Sequence, residues 1–283
     1  MRNRTINFLR KLAALLAVVS MSPLQAEATP EDFIFTQRGT LPIILTAPHG
    51  GQLKIPGLPS RREQCEKNRY DYIVCGRDEY TEEIAMGLMV RLEDLLGRKP
   101  YVVIARFHRE FIDANRKETN AFNSPTAKPY YRAYHDSIRT FIAEVREKHS
   151  GHGILIDVHG CCRSPKRSED PETIYRGTGE GVGVSRLLRR HGLQALTGPS
   201  SIFGKLKDSG HSVAPALTAP ANAEKILQGG HTIYAYGSHT PNGIDAIQVE
   251  VGWNIRKDSS RREKFTEELA DAIAVFYQAY VRR

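Results

Sequence analysis

Two apolar runs, each ending in the same short signature, constrain this chain most strongly. Pro42-Ile43-Ile44-Leu45 leads into Ala47-Pro48-His49-Gly50-Gly51, and Gly153-Ile154-Leu155-Ile156 leads into Asp157-Val158-His159-Gly160. Short unbroken apolar runs of this kind read as buried strands. Each run therefore delivers one imidazole, flanked by a glycine, at the carboxyl end of a strand. In open α/β sheets that edge is where ligands bind. Two His side chains delivered there are half of a catalytic zinc site, which uses three nitrogen or oxygen ligands and keeps one position for water. A single such His is more often structural, so the case rests on the repetition and on the residues below.

The rest of the chain alternates strand-like and helix-like segments, the pattern of a layered α/β fold. Phe33 to Thr36 and Pro42 to Thr46 read as an opening hairpin around Arg38-Gly39. Ile84, Leu88, Leu92 and Leu95 share one face of a helix from about Tyr80 to Leu96. Tyr101 to Ala105 is a strand, and Ile138, Phe141, Ile142 and Val145 mark a second helix. Ala246 to Val251 is a late strand, and Phe265, Leu269, Ile273, Phe276 and Tyr280 give a long amphipathic closing helix. Residues 50 to 77 form a long loop rich in Gly, Pro and charge, of the sort that is functional or disordered. Residues 163 to 172 and 195 to 232 carry loops with short elements that periodicity does not place. A chain of 283 residues suits one large α/β domain or two small ones. With no internal repeat and no linker, one domain over residues 27 to 283 is the simpler reading.

The first 26 residues are not part of that domain. Arg2, Arg4, Arg10 and Lys11 precede an apolar run, Leu12 to Met21, that is too short to span a bilayer. Small residues follow at Ala26 and Ala28, which gives the pattern of a secretory signal peptide cut after Ala26. An amphipathic N-terminal helix is the weaker alternative, because the run is apolar on every face. Cleavage takes away four positive charges and no negative ones, leaving +4 of the net +8. The remaining basic pairs are scattered, with none of the aromatic interleaving of a nucleic-acid groove. The expectation is a periplasmic or secreted monomer with no membrane attachment after cleavage. Export permits disulfides, and the four cysteines are even in number. Cys65 and Cys75 could close a loop; Cys161 and Cys162 could be thiol ligands, a vicinal disulfide or halves of separate bridges. A structural role for all four is favoured.

A third metal ligand is available in Arg77-Asp78-Glu79-Tyr80-Thr81-Glu82-Glu83, at the start of the first helix. Asp78 competes with Glu79 for that role, and Asp78 could instead serve as a helix N-cap. Arg106 to Arg116 follows a strand directly and gathers polar groups at one more strand end. Arg116 offers a planar fork suited to a carboxylate and Asn115 an amide beside it. The bland alternative is a salt-bridged turn in which Asp113 pairs with Arg109 or Arg116. Glu250 lies inside the otherwise apolar Ile247-Gln248-Val249-Glu250-Val251. A buried carboxylate there is costly and needs a metal-bound water, an Arg or a raised pKa. His231, after Gly229-Gly230, is a weaker candidate on a loop near the site.

Taken in order, Pro48-His49-Gly50, Asp78-x-Tyr80-Thr81, Arg109 through Asp113-x-Asn115-Arg116, Tyr134-His135, Asp157-x-His159 and Gln248-x-Glu250 resemble the N-formylglutamate amidohydrolase family, itself similar to the zinc carboxypeptidases. The resemblance runs from about residue 41 to 256. It implies a three-layer α/β/α sandwich around a mixed sheet, zinc held by His49, Asp78 and His159, Glu250 as general base, and Asn115-Arg116 on a substrate carboxylate. Arg109 is then the cation near the developing oxyanion, and His231 a substrate-side group. Two departures stand out. Zinc carboxypeptidases place a Glu three residues after the first His, where this chain has Gln52. Family members often carry Ser after the second His, where this chain has Gly160 and two cysteines. The implied activity is an exported zinc amidohydrolase acting on an N-acyl amino acid or peptide with a free carboxylate. An amidase for cell-wall or poly-γ-glutamate peptides, and a non-catalytic binding protein on the same fold, are the rival readings. The export signal argues against a dedicated cytoplasmic histidine-catabolic enzyme.

Overall fold

The computed structural model describes residues 28–67, 75–162 and 169–282, so the expected signal segment lies outside the described residues. Its frame is a mixed sheet of strands Ile34–Gln37 (β1), Ile43–Ala47 (β2), Tyr101–Ala105 (β3), Ile154–Gly160 (β4), Thr173–Gly177 (β5), Ser212–Ala214 (β6) and Asp245–Val251 (β7). They lie in the order β1-β3-β2-β4-β7-β5-β6. The central β3, β2, β4 and β7 run parallel to one another, whereas β1 runs antiparallel to β3 and β5 antiparallel to β7. The central strands are buried up to Gly160, the half-buried last residue of β4, which explains why they read as continuous apolar runs.

Helices Thr81–Leu96 (α1) and Ser259–Phe276 (α4) cover one face; Lys128–Lys148 (α2) and His231–Tyr236 (α3) cover the other. Alternation along each strand sorts its side chains between the two layers. Ile43, Leu45, Val102, Ile104, Ile154, Ile156, Ile247 and Val249 pack with α1 and α4. Ile44, Tyr101, Val103, Leu155 and Ala246 pack with α2 and α3. This is the three-layer α/β/α arrangement around a mixed sheet.

Three sequence-based expectations need correction. The opening hairpin is absent, because β1 pairs with β3 rather than β2. A wholly buried β2 requires β3 and β4 on its two sides, and the half-exposed β1 is suited to the edge. Leu95 does not join the buried stripe of α1: it is 49% exposed, while Ile84, Leu88 and Leu92 are fully buried. Leu96, one position further, packs against that layer instead. Finally, the 50–77 segment is not loop throughout, because Arg62–Lys67 form a short helix; the short elements expected in the 195–232 stretch are the helices Gln194–Thr197 and Ile202–Asp208 and the edge strand β6.

One consequence of the alternation positions the site. Thr46, Asp157, His159, Gln248 and Glu250 alternate with apolar residues whose side chains face α1 and α4. They therefore share the α2 and α3 face, at the carboxyl ends of three adjacent strands. Register sets Thr46 beside Asp157, Asp157 beside Gln248, and His159 beside Glu250.

Candidate metal centre

His49 sits two residues past β2, and the chain leaves it through a narrow gap. A Cβ at Gly51 would overlap the carbonyl of Arg106, so glycine is required to let the loop pass this close. The backbone of Asp78 is tied to the same loop, its N–H donating to the His49 carbonyl at 3.0 Å. Asp78 is not the cap of α1. The N-cap is Tyr80, in a left-handed conformation, and it makes no side-chain cap bond. The Asp78 carboxylate turns instead to the two histidines.

Its Oδ2 lies 3.3 Å from His49 Nδ1 and 3.1 Å from His159 Nδ1, and accepts the Gly160 N–H at 3.2 Å. The two imidazoles meet edge to face with centroids 4.8 Å apart. One ligand atom from each of His49, Asp78 and His159 falls within 4.8 Å of the other two, and all three residues are buried. Glu79 takes no part in this group. Its backbone carbonyl accepts a hydrogen bond from Arg256. Of the two acidic residues, Asp78 is the one whose carboxylate meets the histidines.

The outer nitrogens of both rings are held by carboxylates. His49 Nε2 is 2.7 Å from Asp113 Oδ1, and His159 Nε2 is 3.0 Å from Asp157 Oδ2. An ionised carboxylate only accepts, so each Nε2 donates outward and each Nδ1 is the nitrogen turned toward Asp78, the one that a metal would take. Carboxylates that orient ligand histidines in this way are a standard part of zinc sites. Asp157 is itself fixed by the Thr46 hydroxyl, which donates to its Oδ1 at 2.6 Å. Two imidazole nitrogens and one carboxylate oxygen form the donor set of a catalytic zinc site, and these residues suit that ion.

Charge within the cluster follows from burial and neighbours. Burial alone would raise the Asp78 carboxyl, but His49, His159 and Arg109 hold it well below the usual carboxylate range. Asp113 behaves alike: burial opposes ionisation, and Arg109 and His49 outweigh it. Burial also works against a charged His159, yet Asp157 and Asp78 push that ring up to about 10. Glu250 differs in kind. It is buried with Oε1 4.0 Å from His159 Nδ1, and burial pushes its carboxyl upward despite the opposing charge of His159. Gln248 Nε2 donates to Glu250 Oε1 at 2.6 Å and fixes its orientation.

The other expected site residues surround this centre with different engagements. Arg109 is buried with Nε and Nη2 each 3.0 Å from Asp113 Oδ2, and Nη1 3.5 Å from Asp78 Oδ1. The salt-bridged turn considered from sequence is therefore present, and Asp113 additionally orients His49. Asn115 is buried and joins two elements. Its Oδ1 accepts from Thr232 N at 2.8 Å, and its Nδ2 is 3.2 Å from His159 Nε2. Arg116 is half-buried at the rim, with Nη1 donating to the Asn115 carbonyl and Nε 4.0 Å from Asp113 Oδ2. His231 lies outside the metal centre. It opens α3, half-buried, and lines a cavity with His135, Tyr131 and Lys117.

Both cysteine pairs are bonded, Cys65 to Cys75 and Cys161 to Cys162, which selects the vicinal disulfide among the alternatives considered. Thiolate ligation by Cys161 and Cys162 is thereby excluded. The orienting roles of Asp113 and Asp157 were not legible from sequence, since each looks like an ordinary salt-bridge or strand-end carboxylate. The Asp-x-His spacing on β4 is the one local signal that could have suggested the second.

No family model matches the chain, and no curated protein matches it. Solved structures do. The crystal structure of an N-formylglutamate amidohydrolase from Ralstonia eutropha JMP134 is 15% identical, covering 88% of this chain and 98% of that one with a TM-score of 0.60. A gene product of Agrobacterium tumefaciens is 13% identical, covering 87% and 95% with a TM-score of 0.55. At these identities the likeness is one of fold, and it extends over nearly the whole described domain.

Proposed function

We propose that this protein is a zinc-dependent amidohydrolase that cleaves an amide bond in a substrate carrying a free carboxylate, an N-acyl amino acid or a peptide end. The observation that carries this reading is the convergence of His49 Nδ1, His159 Nδ1 and Asp78 Oδ2, with both outer ring nitrogens already fixed by Asp113 and Asp157. Sharing a fold with a structure named as an N-formylglutamate amidohydrolase agrees with it.

His49, Asp78 and His159 would hold the ion, which supplies Lewis acidity and lowers the pKa of water. Glu250, beside His159 and steered by Gln248, takes a proton from the attacking water and returns it to the leaving amide nitrogen. Its upward shift suits a group that must both accept and donate near neutral pH. Arg109 contributes fixed positive charge against the oxygen of the scissile carbonyl as it becomes an oxyanion. Arg116, at the rim, receives the substrate carboxylate, and Asn115 holds the wall behind it.

Export to the periplasm or exterior, and action as a monomer, complete the proposal. They rest on the N-terminal sequence pattern and on the modest charge of the remaining chain. Among the described residues no helix is long and apolar enough to cross a membrane. The test is to measure zinc on purified protein and screen N-acyl amino acids against γ-glutamyl and cell-wall peptides. About one zinc per chain with hydrolysis of a carboxylate-bearing amide is expected. A folded protein that takes up no zinc, or that hydrolyses none of these amides, would overturn the reading.

A further inference from the structure

Arg256 is one of the largest fully buried side chains, and its guanidinium is spent on backbone carbonyls. Nε donates to the Val251 carbonyl at 2.9 Å, Nη2 to the Cys161 carbonyl at 2.9 Å, and Nη1 to the Glu79 carbonyl. Each acceptor lies one or two residues beyond a side chain of the candidate site. Val251 follows Glu250, Cys161 follows His159 by two, and Glu79 follows Asp78. The three segments come from the end of β7, the end of β4 and the turn before α1, and are far apart in sequence.

The surroundings are shaped to admit this group. A Cβ at Gly160 would overlap the Arg256 guanidinium carbon, so the glycine after His159 lets the guanidinium lie flat against the strand end. The guanidinium also packs over the Trp253 ring at 5.4 Å from its centroid, and Trp253 leans on Tyr80 at 6.3 Å. A planar fork with donors on three sides can satisfy three carbonyls at once; a lysine ammonium on a flexible stem cannot reproduce that geometry.

We infer that Arg256 is a positioning residue that ties together the three backbone segments presenting Asp78, His159 and Glu250, and so sets the spacing of the metal centre. The inference rests on the zinc amidohydrolase reading and goes beyond it, because Arg256 would touch neither metal nor substrate. Without it, the Cys161 and Glu79 carbonyls lose this donor, while the Val251 carbonyl keeps the Cys161 N–H at 3.0 Å, so the turn that presents Asp78 can separate from the two strand ends. Ligand spacing would then relax while the strands, held by their own ladders, remain.

The test compares the full chain with Arg256→Lys and Arg256→Ala, using Zn2+ affinity by chelator competition and the visible absorption of bound Co2+. Thermal melting is followed in parallel. Arg256→Lys should fold, bind Zn2+ about tenfold or more weakly, and show an altered Co2+ band, the scale seen when groups supporting a metal site are removed. Its kcat should fall more than its KM changes. Added methylguanidinium should restore affinity in Arg256→Ala but not in Arg256→Lys, where the ammonium fills the space. Unchanged affinity and Co2+ spectrum in a folded Arg256→Lys would overturn the positioning role while leaving the amidohydrolase reading intact. An unmodified chain that binds neither metal would overturn both.

Discussion

Replacing Glu250 by Gln isolates one proton transfer from everything else the residue does. The carboxylate is buried, sits 4.0 Å from His159 Nδ1, and accepts the Gln248 amide at 2.6 Å. A glutamine has the same volume, and its amide oxygen can accept that same hydrogen bond, so the pocket keeps its shape. Burial already pushes the Glu250 carboxyl toward its neutral form, and a neutral amide therefore adds no desolvation cost to the fold. Glu250→Ala would be a poorer probe, because it leaves a cavity and strands the Gln248 donor. Loss of a positioned general base removes about 10²–10⁴ in rate, equivalent to about 2.7–5.4 kcal/mol of transition-state stabilisation. The assay is kcat and KM on the best amide substrate, alongside zinc content and melting temperature of the same preparation. Zinc content and melting temperature should match the unmodified protein while kcat falls by at least ~100-fold. A folded, zinc-loaded Glu250→Gln turning over at a near-normal rate would refute the assigned role.

Three further outcomes are expected. His49→Ala and His159→Ala should lose most bound zinc while remaining folded, and Asp113→Asn should weaken it by about 10–100-fold through the ring it orients; full occupancy in both histidine variants would contradict the centre. Substrates with a free carboxylate should react faster than their methyl esters, and Arg116→Ala should erase that preference by about 2 kcal/mol or more with zinc still bound; equal rates for acids and esters in the unmodified protein would make Arg116 a structural residue. Burial, aided by the nearby charges of His231 and Arg139, pushes His135 down to about 3, below its unfolded value of about 6.5. The unfolded chain then takes up this proton first, so the stability from a neutral His135 is complete above pH ~6.5 and is lost as pH falls toward ~3. His135→Gln should flatten the decline in unfolding free energy by up to about 1.4 kcal/mol per pH unit within that window, and an unaltered slope would exclude the assignment.

The sequence alone determined the parts of this protein that depend on local pattern. Ile43 to Leu45 and Ile154 to Ile156 are apolar without interruption because central parallel strands are covered on both faces, and that pattern is readable one strand at a time. The placement of His49 and His159 at strand ends followed directly, as did Glu250 as a carboxylate inside an apolar strand. Periodicity likewise located α1, α2 and α4. What periodicity lacks is any record of which strands are neighbours. The sequential proximity of β1 and β2 suggested a hairpin, and only the tertiary structure put β3 between them. The same missing information concealed the partners of Asp113 and Arg256. His49 and Asp113 are separated by 64 positions, and Arg256 reaches a carbonyl 177 positions away. Asp78 won over Glu79 for a similar reason: the two are adjacent in sequence, and the turn before α1 points only the first carboxylate between the histidines. Side-chain chemistry names the candidates, but distances between strand ends decide which of them meet.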